Sequence, residues 1–67
     1  MTLAEMLERE SVEHSRERER CCERLEALGC SAAEIASVLE HARRMHAAQE
    51  ARFERDVLFK LGLAVAH

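Results

Sequence analysis

The stretch LGCSAAE, residues 28–34, decides the fold of this chain. Gly29 is a residue type that ends helices, because glycine adopts the left-handed backbone of a C-terminal cap without steric cost. Ser31, followed three residues later by Glu34, forms a capping box, which begins a new helix. The stretch therefore predicts one helix on either side of a turn at residues 29–31.

Two long helices are predicted to extend outward from this turn. Upstream, Thr2 begins a second capping box, so helix 1 is predicted over about residues 3–28. Downstream, helix 2 is predicted over about residues 32–61, where Gly62 can end it, and residues 63–67 either fray or continue the helix. Residues 62–67 remain as an apolar tail.

The composition agrees with an all-helical fold. Of the 67 residues, 48% are hydrophobic, 34% are charged, only two are aromatic and none is proline, whereas a sheet favours β-branched and aromatic residues. A short connection between long helices makes them antiparallel neighbours. The predicted fold is therefore all-α, an antiparallel, coiled-coil-like two-helix hairpin forming one domain over residues 1–67. Because so short a chain buries little surface, we expect it to complete a helical bundle by dimerisation or with a partner.

The position of the turn, near residue 30, sets the register of the hairpin. Residues whose numbers add up to about 60 face each other in such an antiparallel pair. Large apolar residues then meet at both ends, for example Leu25 with Ile35 and Leu7 with Phe53. Residues 13–20 between them carry no apolar side chain, and the facing part of helix 2 is rich in alanine. We interpret the polar run as a solvated helix face, with a charged docking surface as the alternative.

A polar group is predicted in the middle of the hairpin. Heptad spacing places His14 between the helices, and the register puts His46 opposite His14 and Glu50 opposite Glu10. Imidazole and carboxylate groups bind Zn²⁺, so a metal-binding helical protein that uses His14 and His46 is one alternative function, with Glu10 and Glu50 as further candidate ligands. The Glu-x-x-His spacing of helical di-metal sites is not found. We therefore favour hydrogen bonds across the hairpin and expect no metal or other cofactor.

The three cysteines, Cys21, Cys22 and Cys30, are predicted to be free thiols. Cys22 and Cys30 lie roughly 12 Å apart along a helix axis, which is too far for a disulfide. A catalytic thiol requires a well-placed base and an oxyanion donor. His41 is the nearest candidate base, its geometry is loose, and no oxyanion donor or glycine-rich loop accompanies it. We expect no catalytic residues and no enzymatic activity.

The charge pattern bears on partners and location. The net charge is −3, and no basic stripe of the kind that neutralises nucleic-acid phosphates is found. The N-terminus lacks the pattern of a signal peptide, and the longest apolar-rich stretch, residues 57–66, is far short of the ~20 residues that span a bilayer. We expect a soluble cytoplasmic protein that binds neither nucleic acid nor membrane.

Residues 28–39 resemble the turn and first helix of helix-turn-helix regulators, in which a Gly-x-Ser-x-x-Glu-Ile-Ala string is common. The resemblance implies a small DNA-binding or transcription-regulating helical protein, which is the first alternative function. A DNA reader of this type needs another turn and a short basic helix. Residues 40–60 contain no break, so we rank this alternative below protein binding.

The apolar end of helix 2 departs most from a simple hairpin. At 100° per residue, Val57, Leu58 and Phe59 point in three directions, whereas helix 1 can cover only one stripe. We interpret this end as the core of a homodimer or as a docking surface for a different protein. The residues predicted to form the contact are Phe53, Val57, Leu58, Phe59, Leu61 and Leu63, with Leu3, Met6 and Leu7 beneath them.

The pattern along the whole chain permits a family comparison. It combines the start Met1-Thr2-Leu3 with Glu5, a charged first helix, a Gly29-Cys30 turn and an apolar-ended second helix. This pattern resembles the small helical-hairpin co-chaperones of type III secretion needle subunits, and it is also similar to plasmid and phage regulators that dimerise as four-helix bundles. The second helix here is longer, and the centre of the first is more polar, than in the co-chaperones.

The co-chaperone resemblance implies a non-catalytic hairpin that packs on a repeat-containing chaperone, which holds the needle subunit unpolymerised. Together with the apolar end of helix 2, it predicts a non-catalytic protein–protein interaction module, such as an adaptor, co-chaperone or inhibitor. Such a module would bind a partner protein, itself or both through its apolar C-terminal helix.

Overall fold

The computed structural model of the chain describes residues 1–62 in full and the helical backbone of residues 63–66. Helix α1 spans Leu3–Ala27, and helix α2 spans Ala32–Ala66. The two helices contact each other, and the described part of the chain contains no strand. The predicted all-α two-helix hairpin is confirmed.

Both helices begin at the capping residues that the sequence predicts, with the full capping box at α2 and only its first hydrogen bond at α1. The backbone N–H of Glu5 donates to the Thr2 hydroxyl over 3.1 Å at the start of α1. At the start of α2, the N–H of Glu34 donates to Ser31 Oγ over 3.1 Å, and the N–H of Ser31 donates to Glu34 Oε1 over 2.9 Å. The hydrogen bond from the Ser31 backbone to the Glu34 carboxylate, and after it the interaction of that carboxylate with the Ser31 side chain, hold the pKa of Glu34 below its ordinary value. The depressed pKa means that this cap stabilises α2 above the pKa of the unfolded carboxyl and is lost as the pH falls through the folded value.

Gly29 ends α1 by adopting a positive φ of 82°, the left-handed conformation that glycine favours. Its N–H donates to the carbonyl of Glu26 over 3.0 Å, and the N–H of Cys30 donates to the carbonyl of Leu25 over 3.1 Å. Two carbonyl groups at the end of α1 are thereby satisfied, and the chain reverses direction.

Alanine substitutions at the two glycines are expected to have opposite effects. A Cβ at either position would meet nothing within 4 Å, so only backbone conformation distinguishes them. Gly29→Ala should lower the free energy of unfolding by about 1 kcal/mol, because an L residue is strained at positive φ. Gly62→Ala should raise it by about 0.5–1 kcal/mol, because alanine favours the helix. Urea titrations followed by circular dichroism at one protein concentration measure both, and two changes of the same sign would contradict this account.

The predicted end of α2 at residue 61 is wrong, since the helix continues through Gly62 to Ala66. Gly29 ends α1 with a positive φ, whereas Gly62 does not have a positive φ and therefore does not end α2. A glycine inside a helix costs only about 1 kcal/mol relative to alanine, and no proline follows to stop the helix. Helix α1 ends at Ala27, one residue earlier than predicted.

The half-buried side chains of the two helices form a seam along the hairpin. Within residues 1–62 no side chain is fully buried, because each helix covers its neighbour from one side only. Seam residues are Leu3, Met6, Leu7, Glu10, His14, Arg18, Cys21, Cys22 and Leu25 on α1, and Ile35, Leu39, Ala42, His46, Glu50, Phe53 and Val57 on α2. The hairpin thus has a line of contact rather than a closed core.

The register of the seam is confirmed by the stacking of His14 on His46. Helix α1 begins eleven residues before His14, whereas α2 ends twenty residues after His46. Helix α2 therefore extends nine residues further, which is roughly 14 Å at 1.5 Å per residue. This overhang leaves the C-terminal end of α2 without a neighbouring helix in the same chain.

Candidate functional site

The residues predicted to bind a partner fall into two groups in the structure. Leu3, Met6, Leu7, Phe53 and Val57 are half-buried in the seam, where they hold the hairpin together. The other described members are exposed: Leu58 by 50%, Phe59 by 68% and Leu61 by 49%. Leu63 lies outside the residues whose side chains the structure describes. The exposed group is the available surface, and we call Leu58, Phe59 and Leu61 the apolar end.

Two geometric causes expose the apolar end. Val57 faces α1, so Leu58 and Phe59 are turned away from α1 by about 100° and 200°. Leu61 points within about 40° of Val57. By the confirmed register the first residue of α1, Leu3, faces Val57, so Leu61 lies one turn beyond the start of α1. Leu58 and Phe59 are therefore exposed because they point away from α1, and Leu61 is exposed because α1 does not extend far enough to cover it.

The apolar end differs from the other exposed hydrophobic residues because its members are neighbours along the helix. Its three residues lie within four positions, and Lys60 is the one charged residue among residues 57–61. Other large hydrophobic residues are exposed singly, at Met1, Val12, Leu28, Val38 and Met45. Single exposed side chains are ordinary on a soluble protein, whereas a cluster indicates a binding surface.

A second group of candidate residues lies in the middle of the seam. The rings of His14 and His46 stack with centroids 4.1 Å apart and planes inclined by 2°. His14 Nε2 is 3.9 Å from Glu10 Oε2, and His14 Nδ1 is 3.7 Å from Glu50 Oε2. All four residues that sequence reasoning placed together are thus neighbours. The His14 side chain is only 12% exposed, and its Nδ1 is buried without a hydrogen-bond partner.

Arg18 holds His46 from the other helix. Its Nη1 donates to His46 Nδ1 over 2.9 Å, and because a guanidinium only donates, Nδ1 must accept. The neutral ring then carries its proton on Nε2, which lies 3.2 Å from Glu17 Oε2. Of the four residues predicted to hydrogen-bond across the hairpin, His46 does so, but its partner Arg18 was not among them. His14 Nδ1 makes no hydrogen bond to Glu50, which lies 3.7 Å away.

Sequence reasoning missed the position of Arg18. A heptad repeat alternates steps of three and four residues, and the step of three from His14 places Glu17 in the seam. In the structure the Glu17 side chain is 59% exposed, and Arg18 is half-buried instead. On α2 the step of three residues from His46 places Gln49 in the seam, whereas Glu50 is the half-buried residue in the structure. A straight helix has 3.6 residues per turn and drifts from a heptad repeat. A four-residue step from His14 would have found Arg18, whereas Glu50 was already placed in the seam by the register of the hairpin.

The geometry gives no support to a metal site. Ring nitrogen lone pairs lie in the plane of each imidazole, so two parallel rings 4.1 Å apart direct them along parallel planes rather than towards one ion. Among residues whose positions are described, no group of three or more His, Cys, Asp or Glu side chains is arranged to hold a metal. The Glu10, His14, His46 and Glu50 cluster is better described as a polar contact that fixes the register.

The thiols are free, as predicted. Cys21, Cys22 and Cys30 form no disulfide and are each half-buried. Cys22 Sγ donates to Glu26 Oε1 over 3.4 Å, and this hydrogen bond is the main cause that raises the pKa of the Cys22 thiol. A raised pKa lowers the fraction of thiolate, which is the opposite of what an attacking nucleophile needs.

Removing Glu26 is expected to make Cys22 more reactive. Glu26→Ala removes both the acceptor and its negative charge, so the pKa of Cys22 should fall and alkylation by iodoacetamide at pH 8 should become faster. Glu23→Ala is a matched control, because Glu23 is the smallest of the causes that raise this pKa. Fragment-ion mass spectrometry separates Cys22 from Cys21, and equal rates in both variants would contradict the assignment.

Helix α2 also lacks the break that a helix-turn-helix reader requires. It runs from Ala32 to Ala66 as one element, so no second turn and no short recognition helix follow the Ser31 capping box. The resemblance of residues 28–39 to such regulators is therefore limited to one turn and one helix start.

The fold and its surface define a small α-helical hairpin with an uncovered apolar end. No protein-family model matches the chain, and neither curated proteins nor solved structures show significant similarity to it. Within the part of the chain that the structure describes, neither helix contains a stretch both long and apolar enough to cross a membrane.

Proposed function

We propose that this chain is a non-catalytic protein–protein interaction module that binds a partner protein, or a second copy of itself, through the C-terminal part of α2. The observation that carries the proposal is the exposure of Leu58, Phe59 and Leu61 on a helix that extends beyond α1. An apolar cluster in this position is stabilised when another helix covers it.

The energetics support the same proposal. Full burial of one large apolar side chain contributes about 1.5–3 kcal/mol, so covering three that are roughly half exposed contributes about 3 kcal/mol in total. A 67-residue hairpin in which none of residues 1–62 is fully buried has little stability of its own. Binding to the folded hairpin would therefore stabilise the fold as well as form the complex.

The resemblance to type III secretion co-chaperones supports a helical partner, since hairpins of that family act by packing on a repeat-containing chaperone. We place the protein in the cytoplasm, because three free thiols are typical of a reducing compartment. Helix-against-helix packing is then the mode of recognition.

The direct test is the solution mass. Light scattering of the purified chain should give either twice the monomer mass or, with bound cellular proteins, a defined complex of larger mass. A chain that stays monomeric at every concentration and retains no protein from a cell extract would refute the proposal.

A further inference from the structure

The two stacked histidines face different charged groups, and this difference decides which ring can take up a proton. The charged side chains that face the rings come from both helices and are Glu10, Glu17, Arg18 and Glu50. An ionised carboxylate only accepts hydrogen bonds, whereas a guanidinium only donates them. Each ring nitrogen therefore faces a group that requires either a proton or a lone pair on it. Arg43, one turn before His46 on α2, is directed instead to Glu40 over 3.0 Å.

His46 is held in its neutral form. Arg18 Nη1 donates to His46 Nδ1 over 2.9 Å, so a proton on Nδ1 would break this bond and set two cations against each other. The other nitrogen, Nε2, already carries the proton of the neutral ring and lies 3.2 Å from Glu17 Oε2. The ring of His46 therefore has no nitrogen available for a second proton while Arg18 stays in place.

His14 has the opposite surroundings, because both of its nitrogens face carboxylates. Nε2 lies 3.9 Å from Glu10 Oε2, and Nδ1 lies 3.7 Å from Glu50 Oε2. A neutral ring has one N–H and one lone pair, so one carboxylate must face a lone pair to which it cannot donate. Nδ1 is indeed buried without a hydrogen-bond partner. Only the imidazolium, with an N–H on both nitrogens, suits both carboxylates.

We propose that His14 is a proton-binding site and that its proton acts as a pH-sensitive clamp between the two helices. The charged ring donates through Nε2 to Glu10 on its own helix and through Nδ1 to Glu50 on the other, once each carboxylate has moved about 1 Å closer. The Glu10 and Glu50 side chains are 41% and 27% exposed, so they have room for this movement. Because His46 stays neutral, no second imidazolium opposes the first across the 4.1 Å stack.

The clamp strengthens the hairpin as the pH falls through the titration range of histidine. The unfolded chain does not hold Glu50 against His14, so the folded chain binds more protons, and its free energy of unfolding rises from about pH 8 to about pH 6. Above this range the ring is neutral and Nδ1 stays unsatisfied. The gain is lost near about pH 4, where glutamates themselves take up protons. The clamp acts within one chain and therefore does not depend on the proposed partner.

Nuclear magnetic resonance of the ¹⁵N-labelled chain tests the proposal, because the chemical shift of a ring nitrogen distinguishes an N–H from a lone pair. In a titration from about pH 8 to about pH 5, His14 should gain its second N–H at a higher pH than the exposed His41 of the same chain. At the pH where His14 is fully charged, Nδ1 of His46 should still be without a proton.

A matched pair of variants tests the contact between the helices. Glu50→Gln removes the carboxylate that faces Nδ1 and supplies an N–H that suits the neutral ring instead. Glu54→Gln makes the same change one turn further along α2, at an exposed position. Only Glu50→Gln should lower the pH at which His14 gains its proton. It should also reduce the rise in urea midpoint that the wild type shows between about pH 8 and about pH 6. Circular dichroism verifies that both variants are helical.

Each outcome supports or overturns the clamp. The predicted order of titration, with an effect of Glu50→Gln and none of Glu54→Gln, supports it. A His14 ring that gains its proton together with His41 or at lower pH, or after His46, overturns it. The predicted order without any effect of Glu50→Gln also overturns it, since the proton would then not connect the helices. The order is measured in the wild type and decides without any substitution.

Discussion

Replacing Leu58 with aspartate is expected to abolish association at little cost to helix content. Leu58 is half exposed in the hairpin, so its loss removes few contacts within the chain. In a complex the aspartate would be an unpaired carboxylate in an apolar contact, which costs several kcal/mol and should weaken binding at least about a hundredfold. Phe59→Asp should act in the same way, because Phe59 is still more exposed. Light scattering measures the mass, and circular dichroism measures the helix content.

The control for this substitution is Ser11→Asp, which places the same charge on an exposed position of α1. It should change neither mass nor helix content. Unfolding of a monomeric chain by Leu58→Asp would contradict the prediction, since it would show that Leu58 belongs to the core of the hairpin rather than to a binding surface.

Leucine at both stacked histidines is expected to stabilise the hairpin by about 2 kcal/mol. His14 and His46 are each 12% exposed, and His14 Nδ1 is buried without a partner. Two leucines would bury apolar surface in the seam and remove the unsatisfied nitrogen, which itself costs about 1–3 kcal/mol. The double variant His14→Leu/His46→Leu should therefore unfold at higher urea concentration when compared at one protein concentration.

The exposed His41 offers a matched substitution for this experiment. His41→Leu makes the same chemical change outside the seam and should leave the free energy of unfolding within about 0.5 kcal/mol of the wild type. A double variant less stable than the wild type would show that the stacked rings, with Arg18 and Glu50 around them, hold the helices together better than leucine does.

Local signals allowed much of the fold to be predicted. The N-caps at Thr2 and Ser31 and the stop at Gly29 are short-range hydrogen-bond patterns, so the sequence alone specifies them. The register followed from the position of the turn, and it correctly paired His14 with His46.

The remaining features depend on differences that a sequence pattern does not resolve. Gly62 and Gly29 are the same residue type, and only the capping bonds around Gly29 make it a terminus. Glu17 and Arg18 differ by 100° in direction, and the drift of a straight helix decides which of them enters the seam. The division of the predicted contact residues into seam and exposed groups required the observed length of α2.

The elongated form of the hairpin raises its apparent molecular mass in solution. Its dimensions are 55 × 19 × 13 Å, and its radius of gyration is 16.0 Å, whereas a globular chain of this length would have about 11 Å. A rod experiences more hydrodynamic drag than a sphere of equal mass, so it diffuses more slowly and leaves a size-exclusion column early. On a column calibrated with globular proteins, a monomeric hairpin would therefore elute at the apparent mass of a dimer.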